Sequence, residues 1–476
     1  MWRSISFVLV LLSCLFLATC GSSVKVNGTT GNGIQTTMSI TDTPPAGVAV
    51  VFFEAQITAA SLQPSDTTKA AVSVLSNPVE VEFGHLQTDT AFLSLTNVPA
   101  DTYSSITVTF GSATLTVVNH SGAAIGSCAN NSVCELTPSF NPSTATLSSA
   151  PLPITLKEHS VVGIRLDFNL NSSVQTDLSI NPMVTIKHLI QREDDEDEQE
   201  MEQLDEIDGV VTDVGTNQFT LMNRRSGQSF TITVDSNTQF EDFDRSGCTA
   251  NPADLSCVAK GQILNVELSE NGMGSMLAKR VEFEEAASKA SIKGTITSVD
   301  SSTQFEMVVF NEEPDVSGIS EGSPVTVTIQ PGAIFQIGKE EMDEDGGFSM
   351  SGFSFASGTD LMVGQDVQIR PGTVSSSGGV TTVATDLVRL WPSQISGQVG
   401  SSGGNGTFTL TGLSPLFTGA TPPVTTINVV TLSDMNMDFS GMGSLSVGSN
   451  VSVKGLLFNT ATTPTLVTRT MREDQQ

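Results

Sequence analysis

Large aromatic side chains other than phenylalanine are nearly missing from this chain: it has one Tyr and two Trp in 476 residues. Clefts that grip sugar rings ordinarily use flat aromatic platforms, so the shortage argues against a glycosidase. Carboxylates are plentiful, however, and counting alone does not exclude a catalytic pair of them. Basic residues are also few, 21 Lys and Arg against 51 Asp and Glu, for a net charge of -30. That balance argues against DNA or RNA as a partner, because neutralising phosphates takes clusters of Lys and Arg. It argues equally against docking on an anionic bilayer through a basic patch. Catalytic motifs are missing as well. No Gly-x-Ser-x-Gly elbow sits on a strand–turn–helix unit, and no P-loop or dinucleotide fingerprint follows a strand. The four His are His85, His120, His159 and His188, and none has the spacing of a His-Glu-x-x-His zinc motif. Three of them sit beside or within expected strands, where a surface or edge histidine is the ordinary case, with a composite metal site of the four as the alternative. We therefore expect no catalytic residue, no metal ligand and no cofactor: the chain does not read as an enzyme.

Long apolar runs are lacking beyond the start of the chain. Met1 to Thr19 has the parts of an export leader: Arg3 supplies a positive end, and Ile5 to Leu17 is mostly apolar. That run is shorter than the roughly 20 residues that cross a bilayer comfortably. It closes on Leu17-Ala18-Thr19-Cys20, which resembles the lipobox of bacterial lipoproteins: Leu, two small residues, then Cys. The resemblance implies cleavage after Thr19 and acylation of the Cys20 thiol, with the membrane as partner through an N-terminal lipid. An ordinary signal peptide with an incidental Cys is the rival reading. Gly21-Ser22-Ser23 carries no Asp, which resembles an outer-membrane sorting signal.

Four cysteines follow Cys20, in two close pairs: Cys128 with Cys134, and Cys248 with Cys257. In an exported chain such pairs read as disulfides. Zinc is the alternative, without a His near either pair and without CxxC spacing.

What is abundant is Ser, Thr, Val and Gly, a mixture that favours short strands and tight turns. Residues 20–33 form an aperiodic tether. From 34 to 190, period-two segments alternate with Gly, Pro, Asn and Ser clusters: Val48 to Ile57, Val79 to Phe83, Val161 to Leu170 and Met183 to Ile190 among them. Ile106 to Phe110 and Ala113 to Val118 read as a hairpin across Gly111-Ser112. No helical pattern of useful length interrupts them, so an antiparallel sandwich is expected. The early Ser39-Ile40-Thr41-Asp42 strand and the segment Val98-Pro99-Ala100-Asp101-Thr102-Tyr103 resemble the family domain-of-unknown-function 4382. That resemblance implies a prealbumin-like or immunoglobulin-like fold and no established activity.

Residues 191–206 are expected to be an acidic linker; eleven of the 16 residues from Glu193 to Asp208 are Asp or Glu. A weak calcium site or a short helix is the alternative. From 207 onward the chain repeats. Ile207-Asp208-Gly209-Val210, Ile292-Lys293-Gly294-Thr295 and Ile395-Ser396-Gly397-Gln398 open three units. Gly261-Gln262-Ile263, Gly364-Gln365-Asp366 and Gly448-Ser449-Asn450 each precede a later strand. Boundaries fall at 207–286, 290–391 with an insertion at 338–358, and 394–472. Asp343-Glu344-Asp345-Gly346-Gly347 in the insertion reads as an exposed turn, with a cation loop as alternative. Five strands per unit, with Gly inside the first, suggest small closed barrels of the OB type. The Ile-x-Gly openings and the Val-Gly-x-x-Val strands resemble the family domain-of-unknown-function 5666. Trp391 falls at the junction of the second and third units, where interdomain packing is the plain role.

The expected fold class is thus all-β: an N-terminal antiparallel β-sandwich followed by three OB-like β-barrel repeats. The expected role is a non-catalytic, lipid-anchored protein of the cell envelope, at the outer membrane, presenting β domains for adhesion, assembly or ligand capture to an envelope protein or glycan. A carbohydrate- or divalent-cation-binding module of an envelope complex is the alternative.

Overall fold

In the computed structural model, the described residues are 33–473 without 44–47, 87, 89–90, 158–160, 193–201, 224–228, 244–245, 271–275, 285–289, 314, 339–351, 405, 439–445 and 461. The leader, Cys20, the tether, most of the acidic run and most of the insertion, including Asp343 to Gly347, lie outside them. Among the described residues no helix is long and apolar enough to cross a membrane.

The first domain contains β1 (Gly33–Thr43), β2 (Ala49–Pro64), β3 (Val72–Ser73), β4 (Val79–Glu82), β5 (Ala91–Pro99), β6 (Thr102–Asn119), β7 (Ser132–Leu136), β8 (Thr144–Leu147), β9 (Ile154–Thr155), β10 (Val161–Asn169) and β11 (Val184–Arg192). One sheet runs β11-β10-β1-β5. The other runs β3-β2-β6-β7, with β4 on β2 and β8 and β9 on β6. The pairings are antiparallel except β1 beside β10. The alternation seen in sequence becomes an aromatic core: Phe53, Phe83, Phe110, Phe140 and Phe168 lie with neighbouring ring centroids 4.8 to 6.5 Å apart. Tyr103 is fully buried and its hydroxyl donates to the Pro99 carbonyl at 2.8 Å. That bond pins the corner ahead of β6, as a tyrosine corner does in immunoglobulin-like sandwiches.

The expected hairpin at Gly111-Ser112 is not formed. β6 runs straight through, and the register against β2 steps from Ala55↔Ala113 to Ile57↔Phe110. The extra residue on β6 is a bulge, which bends a strand without reversing it. Gly111 is needed there because a Cβ would stand 2.7 Å from the Gln56 Oε1 atom and 2.8 Å from the Thr58 methyl.

β12 (Glu202–Val214), β13 (Gln218–Asn223), β14 (Ser229–Thr233), β15 (Gln239–Glu241), β16 (Ile263–Glu270) and β17 (Met276–Glu284) form barrel 1. β12 thus begins inside the stretch expected as linker. Barrel 2 is β18 (Ser291–Ser301), β19 (Gln304–Glu313), β20 (Pro324–Ile337), β21 (Asp366–Ser377) and β22 (Val380–Trp391). Barrel 3 is β23 (Ser393–Gly404), β24 (Thr407–Thr411), β25 (Ile427–Asp438), β26 (Asn450–Phe458) and β27 (Thr465–Glu473). Barrels 2 and 3 close in the order first-second-third-fifth-fourth, the third and fifth strands being parallel. Barrel 1 repeats that order with its third strand split into β14 and β15, both parallel to β17. This is OB connectivity.

The glycine in each first strand serves a close approach rather than a left-handed bend. A Cβ on Gly209, Gly294 or Gly397 would stand 2.7 Å from the Met222 carbonyl, 2.7 Å from the Val308 carbonyl and 2.8 Å from the Thr411 carbonyl respectively. These carbonyls occupy the same place on the second strand of each barrel. The inward residues match too: Phe219, Phe305 and Phe408, then Leu221, Met307 and Leu410, are all buried.

Candidate functional site

The site begins at the end of β4. Glu82 is the last residue of that strand, and its carboxylate folds over the following turn. It accepts from the backbone N–H groups of Phe53 at 3.2 Å, Gly84 at 2.9 Å and His85 at 3.0 Å. It also stands 2.8 Å from His85 Nδ1. A short carboxylate loop of this kind fixes the ring's orientation and turns Nε2 away from the sandwich.

Barrel 2 meets that nitrogen. Thr295 on β18 and Asp366 on β21 are cross-strand partners, and the Thr295 hydroxyl donates to Asp366 Oδ1 at 2.6 Å. His85 Nε2 lies 3.4 Å from Thr295 Oγ1 and 3.8 Å from Asp366 Oδ2. Phe310 on β19 covers the imidazole, ring centroid to ring centroid 4.1 Å. Barrel 3 completes the arrangement. The Asp366 N–H donates to Ser393 Oγ at 2.8 Å. Gln394 donates through Nε2 to the His85 carbonyl and accepts from the Thr88 N–H at 3.2 Å. One glutamine from β23 therefore holds both ends of the turn that carries the histidine.

The cluster is dry: the side chains of His85, Glu82 and Asp366 keep only 18, 12 and 4 % of their exposure. Loss of hydration pushes the Asp366 carboxyl up to about 6; His85, the Thr295 hydrogen bond and Lys454 pull it down, and Glu82 pushes it further up.

Beside the polar cluster lies an apolar patch. Ala49, Val51 and Phe52 of β2 and Val118 of β6 pack against Val308 of β19 and against Leu416 on α2 (Pro415–Thr418, α1 being Leu170–Ser173 in the sandwich). Val308 is outward-facing on its barrel yet 1 % exposed. Burying side chains of this size contributes about 1.5–3 kcal/mol each, whereas in a buried ion pair desolvation offsets much of the attraction, so the patch dominates the docking. The fit is close: a Cβ on Gly322 would lie 2.9 Å from the Phe52 ring, and one on Gly419 would strike the His120 ring at 2.2 Å.

His85 thus faces barrel 2 and is not the plain surface or edge histidine expected, while His120 is partly exposed, near Gly419, with Nδ1 3.2 Å from Asn131 Oδ1. His159 and the side chain of His188 lie outside the described residues. Among the described residues no group of three or more His, Cys, Asp and Glu could hold a metal ion. Cys128 and Cys134 stand with sulfurs 2.06 Å apart, and Cys248 and Cys257 with sulfurs 1.96 Å apart, each a disulfide. Trp391 lies under the Lys293 ammonium, 4.0 Å from ring centroid to nitrogen. Glu82, Thr295 and Asp366 were not singled out in sequence. The signal was in the repeats: where barrel 2 has Thr295 and Asp366, barrel 1 has Val210 and Ile263, and barrel 3 has Gln398 and Asn450.

A family model described as "Domain of unknown function (DUF5666)" matches residues 208–282, which is barrel 1. No curated protein matches the chain. Two similar solved structures are Drosophila Unr CSD456 and a multidomain protein with nucleic acid binding domains from Streptococcus pneumoniae TIGR4. The first has 9% identity and a TM-score of 0.13, covering 57% of this chain and 98% of its own. The second has 8% identity and a TM-score of 0.12, covering 57% of this chain and 73% of its own. Scores this low carry no argument about function.

One expectation is corrected nonetheless. The exclusion of nucleic acid is withdrawn, because the charge argument behind it does not hold. The physical fault is that net charge is a sum over the chain. Eleven of the 51 acidic residues sit in one run of 16, so the total does not describe any single barrel face.

Proposed function

We propose that this chain is a non-catalytic protein of the bacterial cell envelope, acylated at Cys20 and held at the outer membrane by that lipid, and that it presents its β domains for adhesion, assembly or ligand capture. The observation that carries the reading is the packed seam between the sandwich and barrels 2 and 3. A tether joined to a preassembled body suits presentation, because binding surfaces held rigid lose less entropy on engagement. Two or more acyl chains would anchor such a body firmly.

The alternative, capture of a carbohydrate, draws on the second and third strands of barrel 1 and on the second strand of barrel 3. Their outward rows carry hydroxyls: Thr220, Ser229 and Thr231 on barrel 1, Thr407, Thr409 and Thr411 on barrel 3. OB barrels use this face for oligosaccharides and oligonucleotides. Fractionation of cells expressing the native chain and Cys20→Ala tests the anchor: the native chain should pellet with membranes carrying an acylated N-terminal peptide, and the variant should not. Calorimetry with glycan fragments, calcium and a single-stranded oligonucleotide separates presentation for adhesion or assembly, which gives no saturable heat with them, from capture of one of these ligands.

A further inference from the structure

The sandwich covers the face of barrel 2 formed by its second strand, which on an OB barrel is the ligand face. At the edge of that contact stand the polar groups named above, contributed by all three domains and by residues as distant in sequence as His85 and Gln394. We propose that Glu82, His85, Thr295 and Asp366 form a proton-controlled latch: proton uptake closes the sandwich onto barrels 2 and 3, and proton loss loosens the seam and uncovers Val308 and Phe310.

The geometry carries this. The imidazole is set between two carboxylates, with Glu82 at 2.8 Å from one ring nitrogen and Asp366 at 3.8 Å from the other. Without an added proton, two carboxylates flank a neutral ring in a site that water barely reaches. With one on Asp366, like-charge repulsion across the seam is relieved. The groups that bear on Asp366 come from all three domains, and β22 pairs with it through Trp391. Glu82 and His85 arrive from the sandwich, Thr295 from β18, Ser393 from β23, and Lys454 from β26 as the cation whose field reaches the carboxyl. Because the folded seam holds the Asp366 carboxyl up to about 6 from an ordinary 3.8, the closed state binds the proton more tightly than the open one. That contribution is complete below 3.8 and is lost as pH rises through about 6.

The test is hydrogen exchange on the full-length chain in detergent at pH 5.0 and 7.5, with rates corrected for intrinsic exchange chemistry. Segments 83–88 and 291–298 report the seam, and segment 103–110 reports the sandwich core. We expect seam protection to fall about tenfold between the two pH values, following the Asp366 shift, while the core segment holds. Asp366→Asn should abolish the pH dependence and keep the seam protected at pH 7.5. The latch is overturned if seam and core segments change alike in the native chain, or if Asp366→Asn retains the native pH profile. Should that variant fail to fold, the native comparison of seam with core decides alone.

Discussion

Barrel 2 and barrel 3 have the same strand order and matched interiors, but their outer surfaces differ. On the second strand, barrel 3 sets Thr409 and Thr411 outward, where barrel 2 sets Glu306 and Val308. Thr411 stays partly exposed, while Val308 is buried under Phe52 and its neighbours. At the start of the fourth strand, barrel 3 has Asn450, partly exposed, and barrel 2 has the buried Asp366. The interior of a repeat is therefore set by closing a five-stranded barrel, and its exterior by what the barrel must touch. A polar residue buried on the outside of one repeat, and exposed in its sibling, marks an interface.

The two barrels should differ most in their response to a charge at the matched position. Val308→Asp should destabilise the chain by about 3–5 kcal/mol, because it buries a carboxylate against Phe52 without a partner. Thr411→Asp should cost about 1 kcal/mol or less. Urea unfolding of each variant, followed by Phe and Tyr fluorescence and by circular dichroism, checks the difference.

The next effect is electrostatic and has the opposite sign. Asp366→Asn should stabilise the chain by up to about 3 kcal/mol at pH 7.5, since a folded value raised to about 6 from 3.8 means the ionised group opposes folding above that range. At pH 4 the gain should vanish, because the native carboxyl is then protonated in the folded state. Unfolding curves at both pH values would show whether the gain disappears on acidification.

Breaking the Cys248–Cys257 bond should cost about 2–3 kcal/mol from the loop closed over a separation of nine residues, and the loss should be confined to barrel 1. A melting curve of Cys248→Ser with Cys257→Ser, resolved by exchange in β13 against β19, would test that confinement.

The smallest effect separates backbone strain from crowding. Gly322 and Gly332 have φ of 80° and 82°, but a Cβ on Gly332 meets nothing within 4 Å while one on Gly322 meets the Phe52 ring. Gly332→Ala should cost about 1 kcal/mol from the left-handed backbone alone, and Gly322→Ala about 1–3 kcal/mol more from the wedge. Equal midpoints for the two variants would mean that the seam yields freely.

The all-β class, the sandwich and the three barrels were legible because strand alternation is local and the repeats align at Phe219, Phe305 and Phe408. The β6 bulge was not, since Gly-Ser between two apolar runs is written alike for a turn and for a bulge. Only pairing along β2 distinguishes them. The seam was least legible. His85 and Thr295 are 210 positions apart, and Gln394 and His85 are 309 apart, so no window of sequence contains both halves. Comparing the outward positions of the three repeats was the one local signal that pointed to it.

The outer face of β19 exists to be covered by the sandwich, and hydrogen exchange in β2 and β19 of full-length Val308→Asp beside the native chain tests this. Protection at Val50 to Phe53 and across Gln304 to Phe310 should drop together, while β13 of barrel 1 keeps its native rates. If β2 retains native protection when Val308 is charged, the sandwich does not depend on barrel 2 and the account of the seam is wrong.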